Sequence, residues 1–465
     1  MRVSLGEIAA ALGVDVPREA MGLAVRRAVA DSRQAGTGDL FVCLPGERAD
    51  GHDFAPKAVE QGAVAVLAAR PLPGLGAPVL VVPDVLRALG RLARWWRLRC
   101  KARVVAVTGS AGKTTLKEMI AQVLGARFVV AKNHKNFNNQ LGLPLTILGT
   151  SGAEDHWVLE LGISKPHDME ELGSVALPDI AVVHNIGPAH LEGLGDLAGV
   201  ARAKASLLGF VREGGTAVVN RCYPELWEAA KAYDVKTVSL STDPAVPADV
   251  LCRYAGAAGT GTGRFELSVR GREIACELPY PGAHFAENVG AAFAVASLCG
   301  MDLAATADAL AHPVHVEGRF CCREAGCVTL IDDTYNANPL SMRSAVDCAA
   351  QMAAGQPLAL VLGDMLELGG GAEEEHRALG RFIAERPVMA LFWRGTMAEA
   401  VRAGLAEGGF AGAFAAAGDA EGLAAAWAEK GTDKGVILVK GSRSCRMEEF
   451  LKVLDDIFCT QGEEK

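Results

Sequence analysis

Short runs of β-branched and apolar residues alternate with amphipathic stretches along most of this chain. In the first hundred residues the apolar runs at 40–44, 63–67 and 78–82 predict buried strands, with helical pattern between them. Residues 86–100 then read as an amphipathic helix. Leu86, Leu89, Leu92 and Trp96 form its apolar stripe, and Arg87, Arg91, Arg94 and Arg97 lie outside it. A second segment opens on the run at 103–107, followed at once by a glycine loop and another helical stretch. Further strand runs fall at 157–163 and 180–186. Strand–helix alternation predicts a parallel sheet covered on both faces, with chemistry gathered where the strands end. Residues 234–280 alternate differently, as in Arg264-Phe265-Glu266-Leu267-Ser268-Val269, and predict an antiparallel extension of the same unit. From His312 onward the runs at 328–331, 358–362, 388–392 and 436–439 alternate with Ala-rich helices, which predicts a second doubly wound unit entered through a hinge at Pro313.

The expected architecture is therefore α/β in three domains. Residues 1–100 form a small α/β domain and 101–311 a central parallel-sheet domain with an antiparallel extension. Residues 312–465 form a Rossmann-like domain whose last four residues fray. Length agrees, since 465 residues exceed one ordinary core. Charge narrows the function: 46 Lys+Arg against 55 Asp+Glu leaves −9, which argues against a nucleic-acid or anionic-membrane partner. No apolar run reaches the 18 or so residues of a membrane span. The N-terminus lacks a signal-peptide core, because Glu7 falls where it should be. Twelve Cys are scattered without a CxxC, as expected of thiols in a reducing cytoplasm. Cys321, Cys322 and Cys327 fit no common zinc spacing and read as buried or strand thiols.

The sharpest chemical signal is Thr108-Gly109-Ser110-Ala111-Gly112-Lys113-Thr114-Thr115, between a strand run and a helical stretch. Glycines let successive backbone N–H groups face one anion, and the helix N-terminus adds partial positive charge. Lys113 would reach the β- and γ-phosphates of a nucleotide, and the Thr114 hydroxyl would join a Mg²⁺ shell. The longer form of this motif has a Gly where Val107 stands, so the loop is the shortened G-x-x-G-K-T type. Glu160 ends one strand run and His190 follows another, so both should emerge at the same sheet edge and could hold a divalent ion. Lys204 on position alone reads as a solvated lysine. Asn138 and Asn139 on their own are turn residues.

Taken together, the shortened loop, Asn133-His134-Lys135-Asn136-Phe137-Asn138-Asn139-Gln140-Leu141-Gly142-Leu143-Pro144 and the segment from Ala189-His190-Leu191-Glu192-Gly193 to Ala203-Lys204 resemble the Mur ligases, ATP-dependent amide-bond formers of peptidoglycan precursor synthesis. Asp332-Asp333-Thr334-Tyr335-Asn336-Ala337-Asn338-Pro339, the Leu362–Gly369 stretch, Lys440-Gly441-Ser442-Arg443 and Asp31-Ser32-Arg33 look like the branch whose reactants are UDP-N-acetylmuramoyl-tripeptide, D-alanyl-D-alanine and ATP. The resemblance implies a cytoplasmic monomer with two Mg²⁺ sites, held by Thr114, Glu160, His190 and a CO₂-carbamylated Lys204. It implies Lys113, Lys204 and His190 as the catalytic groups, and Asn288, Arg319 and Asp333 as nucleotide contacts beside residues 108–115. Asn138, Asn139, Tyr335, Asn336 and Asn338 would face the peptide substrates. Ser32 and Arg33 would serve the nucleotide sugar in the first domain. Phe285 departs from the family's usual Asn. Three readings remain open beside this one: another amide ligase of the same superfamily, a P-loop ATPase or kinase acting as a switch, and a catalytically silent scaffold protein.

Overall fold

The structure, a computed structural model, describes residues 1–46, 49–259 and 261–460, with side chains through Phe458. The expected fraying of residues 462–465 and the Cys459 thiol lie outside that range. Among the described residues four sheets are present. Strands β1 (Val3–Ser4) and β2 (Ala24–Val25) pair as a short antiparallel ribbon. Strands β3 (Arg27–Val29), β4 (Asp39–Val42), β5 (Ala65–Ala68) and β6 (Val79–Val81) form a parallel sheet in sequential order. β4 and β5 are buried at every position, as a strand covered on both faces must be.

The central sheet has nine strands: β7 (Arg103–Thr108), β8 (Val130–Lys132), β9 (His156–Glu160), β10 (Ile180–Val183), β11 (Thr216–Asn220), β12 (Lys236–Ser241), β13 (Val250–Gly259), β14 (Thr262–Val269) and β15 (Arg272–Leu278). Their order is β15-β14-β13-β12-β11-β10-β7-β9-β8. The chain starts mid-sheet at β7, with β9 on one side and β10 on the other. Loops leaving the C-terminal ends of these three neighbours therefore share one crevice. β13, β14 and β15 pair antiparallel while β13 continues β12 in parallel, so the expected extension belongs to the same sheet.

A third sheet holds β16 (Cys321–Ala325), β17 (Val328–Asp333), β18 (Leu358–Gly363), β19 (Ala390–Arg394), β20 (Ala413–Ala416) and β21 (Gly435–Lys440), ordered β16-β17-β21-β18-β19-β20. All but the edge strand β16 are parallel. This sheet has its own apolar layers on its two faces, one including Leu360 and Trp393 and the other Val361 and Phe392. The first and central sheets are tied differently. One continuous core runs from Leu5 and Leu40 through Leu92 and Trp96 to Leu143, Trp157 and Leu172. The Met1 ammonium adds to this tie by donating to the carbonyl oxygens of Leu148 (3.2 Å) and Thr150.

The helix Val85–Arg99 carries much of that junction, and its buried stripe is turned relative to the expected one. Val85, Ala88, Leu89, Leu92, Ala93 and Trp96 are buried, Leu86 is exposed, and Arg97 is inside. Arg97 is tolerated there because every arm is satisfied. It donates to the carbonyls of Ala176 (3.1 Å), Ala102 (3.0 Å) and Leu177 (3.0 Å) and pairs with Asp179 at 2.7 Å. A pattern of residue types alone cannot show an arginine that finds four oxygens. The thiol expectation also needs correcting. Cys321 and Cys322 do lie on a strand, β16, although Cys322 is exposed; Cys327 is neither buried nor on a strand, being exposed in the turn before β17. Among the described residues no group of three or more His, Cys, Asp or Glu side chains could hold a metal ion, and no helix is long and apolar enough to cross a membrane.

Candidate active site

β7 delivers the chain into the loop, and the helix Lys113–Gly125 leaves it. Gly112 sits at φ 71°, and a Cβ there would meet the Asn288 side chain at 3.2 Å and His184 Nε2 at 3.3 Å. Only glycine fits both that backbone and that space. Thr108 is wholly buried behind the loop, its hydroxyl donating to the Leu161 carbonyl at 3.0 Å. It braces the loop instead of lining the cavity. Ser110, Ala111, Gly112, Lys113, Thr114 and Thr115 do line a cavity of about 1020 Å³ between the central and third sheets.

Four polar residues behind the loop fix its shape. The N–H groups of Ser110 and Ala111 both donate to Asn185 Oδ1 at 2.9 Å. Asn185 Nδ2 donates to Glu287 at 3.0 Å, and Glu287 also accepts from the Tyr223 hydroxyl at 2.7 Å. Asn288 Nδ2 donates to the Gly112 carbonyl at 3.0 Å. Burial and the neighbouring Glu287 carboxylate push the Tyr223 phenol upward, so it stays a donor. The Asn185 amide is thereby oriented by a carboxylate on one side and two loop amides on the other.

Two lysines converge on one oxygen. The Gly109 carbonyl accepts from Lys113 Nζ at 2.8 Å and from Lys204 Nζ at 3.1 Å. Lys204, on the helix Leu197–Ala205, is 1% exposed, so it is not the solvated lysine that position alone suggests. Burial, reinforced by the Lys113 charge, holds the Lys204 amine well below the usual lysine range. Burial also lowers Lys113, with Glu160 opposing and Arg319 adding to the shift.

Glu160 ends β9 and is 1% exposed. Its backbone N–H donates to Asn133 Oδ1 at 2.6 Å, and Asn138 Nδ2 donates to its Oε1 at 2.7 Å. The other carboxylate oxygen, Oε2, is buried without a partner. Asn139 works as a local turn residue, its Oδ1 accepting from the N–H groups of Leu141 (3.2 Å) and Gly142 (2.9 Å), though it also lines the cavity. His190 follows β10 in a left-handed conformation (φ 55°), lines the cavity, and has Nδ1 2.5 Å from Glu367 Oε2. Burial lowers its pKa, and Glu367 opposes that shift.

The third sheet supplies the opposite wall. Arg319 stacks 3.9 Å over the Tyr335 ring and reaches to 3.5 Å from the Thr114 hydroxyl. Asp333, at the end of β17, pairs with buried Lys440 at 2.7 Å, and Lys440 also donates to the Asn336 carbonyl at 2.8 Å. Burial raises the Asp333 carboxyl and lowers the Lys440 ammonium, each against the other's stabilising charge. Asn338 caps the helix Pro339–Ala353 and donates to the Ser110 carbonyl at 3.0 Å. Tyr335, Asn336 and Asn338 all line the cavity.

The structure thus gathers Lys113, Thr114, Glu160, His190, Asn138, Asn288, Arg319, Asp333 and the three residues at 335, 336 and 338 around one space; Lys204 does not line it but lies behind the loop, on the Gly109 carbonyl. Ser32 and Arg33 are not brought there. Ser32 is buried, and the exposed Arg33 folds back onto Asp31 at 2.7 Å. Asn133, Glu367 and Lys440 lie inside stretches that carry the resemblance but were given no role of their own, and His184, Asn185, Tyr223 and Glu287 were given none either. His184 and Asn185 carried a signal: they are the first polar residues after a buried parallel strand. Glu287 and Tyr223 carried none.

A phosphate-binding loop at the C-terminal edge of a parallel sheet, facing a second parallel sheet that lends it an arginine, defines a nucleotide-dependent α/β enzyme. Family models described as Mur ligase family catalytic domain, Mur ligase middle domain and Mur ligase glutamate ligase domain match residues 27–97, 107–296 and 318–443. The UDP-N-acetylmuramoyl-tripeptide–D-alanyl-D-alanine ligase of Escherichia coli K12 is 36% identical, over 92% of this chain and 93% of that protein. The crystal structure of MurF from Acinetobacter baumannii superposes with a TM-score of 0.87 at 29% identity, covering 98% of this chain and 99% of that one. The MurF ligase of Thermotoga maritima, solved with ADP, gives 0.84 at 28% identity over 94% of this chain and 99% of that one. The chain belongs to the Mur ligase family.

Proposed function

We propose that this chain joins D-alanyl-D-alanine to UDP-N-acetylmuramoyl-tripeptide at the cost of ATP. The observation that carries the reading is the meeting of the glycine loop, Lys113 and the cross-cleft Arg319 on one cavity, with an unpartnered buried carboxylate oxygen on Glu160. The names of the relatives supply the substrates.

The tripeptide carboxylate attacks the γ-phosphorus of ATP, giving an acyl phosphate and ADP. The dipeptide amine then attacks the acyl carbon, phosphate leaves, and an amide remains. Two anions must first meet, so the site's main task is neutralisation. Lys113, now on the Gly109 carbonyl, swings to the β- and γ-phosphates. Arg319 approaches from the other sheet. The third domain covers the acyl phosphate against water.

Mg²⁺ fits the residues present. The orphaned Glu160 oxygen, the Thr114 hydroxyl and His190 are suitable donors on the same cavity, but three acidic or imidazole side chains do not converge. A carbamate on Lys204 would complete the set, and the depressed lysine leaves the neutral amine that CO₂ requires. Bound there, the metal would supply charge neutralisation of the phosphates and the carboxylate. Asn288 and Asp333 are assigned to the nucleoside, and Asn138, Tyr335, Asn336 and Asn338 to the peptide substrates. Residues 1–100, with Ser32 and Arg33, are assigned to the nucleotide sugar, 101–311 to ATP, and 312–465 to the incoming dipeptide. We assign the active form to a cytoplasmic monomer.

The test is ATP turnover with the tripeptide nucleotide, with and without D-alanyl-D-alanine. ADP release that needs both substrates, with an amide product, supports the reading. Turnover indifferent to the dipeptide sinks it.

A further inference from the structure

His190 and Glu367 come from different sheets' loops, yet their side chains meet at the cavity rim. His190 Nδ1 lies 2.5 Å from Glu367 Oε2, an approach off the ring's hydrogen-bonding line. The other ring nitrogen, Nε2, has no partner among the described residues, and the ring lines the cavity. Both residues hold left-handed backbones that non-glycine residues seldom adopt, φ 55° at His190 and φ 63° at Glu367. The Glu367 side chain is 59% exposed, so it is not placed there by burial. The neighbouring turns touch as well: Gly369, at φ 56°, lies where an added Cβ would be in ordinary van der Waals contact with Glu192, 3.6 Å from its Cα. Two strained turns, one from each side of the cleft, thus present a carboxylate to an imidazole.

An imidazole that ligates a cation through one nitrogen usually donates the other N–H to a carboxylate. That contact fixes the tautomer and raises the basicity of the ligating nitrogen. We infer that Glu367 is a positioning residue for His190: with the third sheet placed as it is here, a small ring rotation lets its carboxylate take the Nδ1–H and leaves the Nε2 lone pair facing the cation. This rests on the assignment of His190 as a cation ligand. It also couples two events, because the ligand becomes fully competent only when the dipeptide-carrying domain has arrived.

The full-length protein, labelled with ¹⁵N-histidine, tests this without metal; a His190→Gln variant identifies the His190 signals. The wild type should show the tautomer protonated at Nδ1. Glu367→Ala should shift the population toward the Nε2-protonated form, and Glu367→Gln, which keeps an accepting oxygen, should restore it. Mn²⁺ binding in the presence of a non-hydrolysable ATP analogue, read by electron paramagnetic resonance, should weaken about tenfold in Glu367→Ala and less in Glu367→Gln. An unchanged tautomer and unchanged Mn²⁺ affinity in Glu367→Ala overturn the inference. Weakened Mn²⁺ binding with an unchanged tautomer also overturns it, making Glu367 a direct ligand. If His190→Gln weakens Mn²⁺ binding while Glu367→Ala does not, only the positioning role fails. If His190→Gln binds Mn²⁺ like the wild type, the ligand assignment fails with it.

Discussion

The Asn338 amide spans the cleft: its Oδ1 accepts the Ser341 N–H at 2.9 Å while its Nδ2 donates to the Ser110 carbonyl at 3.0 Å. One side chain thus caps a helix of the third sheet and holds the phosphate loop of the central one. Substitution can separate the two roles. Asn338→Ala should lose about 1 kcal/mol of stability from the missing cap. Asn338→Asp keeps the cap and should recover that stability, yet it sets a carboxylate against the Ser110 carbonyl. Its ATP turnover should remain as impaired as that of the alanine variant. Thermal unfolding and ADP release read the two effects independently.

Asn185 should matter to nucleotide affinity although it is an uncharged residue behind the loop. Asn185→Ala leaves the Ala111 N–H without its acceptor and Glu287 without one of its donors, a loss of about 1–3 kcal/mol. The KM for ATP should rise roughly tenfold, which corresponds to ~1.4 kcal/mol. Asn185→Asp should be worse than alanine, because it adds a negative charge beside Glu287 and the phosphate seat. An alanine variant with normal KM would show that the loop keeps its shape by itself.

Asp333 and Lys440 form a largely buried pair, so removing one partner strands the other. Asp333→Ala should destabilise the protein by about 3–5 kcal/mol. A double variant, Asp333→Leu with Lys440→Met, should unfold closer to the wild type than Asp333→Ala does. Denaturant titration of the three proteins gives their order of stability. Neither variant should ligate if Asp333 also serves the nucleoside.

His284 sets an acid limit. It lies between Phe285 (4.2 Å) and Phe320 (5.3 Å), and burial with the Lys440 charge lowers its pKa from 6.5 to about 4. The unfolded chain takes up this proton first. The contribution is intact above the unfolded value and is lost as pH falls from there through the folded value. The loss is on the order of 1–3 kcal/mol. His284→Phe should flatten this part of the stability profile between pH 6.5 and 4, the two pKa values just compared.

Much of this architecture was legible because buried parallel strands are written as continuous apolar runs. Those at 103–107, 358–362 and 436–439 became strands that feed the cavity, and the one at 180–186 did so as far as Val183, after which the chain is loop. The loop was legible for a similar reason, since glycines and a lysine between strand and helix are a local signature. What escaped depended on distant partners. Nothing near Arg97 announces the four oxygens that admit it to the core. Nothing near Glu287 announces Asn185, which lies 102 positions away. Burial of Lys204 was equally invisible locally; there the family likeness pointed to a role that position alone did not.

The continuous core beneath the first two sheets, locked by the Met1 ammonium, has a metric consequence. If the sugar end of the donor sits on the first sheet and its reacting carboxylate at the loop, as proposed, these two seats form the fixed jaws of a caliper. A donor peptide one residue short would fall about 3.3–3.6 Å from its target, more than a side-chain adjustment closes. Choice of donor length would then reside in the span between two seats on one core, leaving the third module, which has apolar layers of its own, to recognise only the amine.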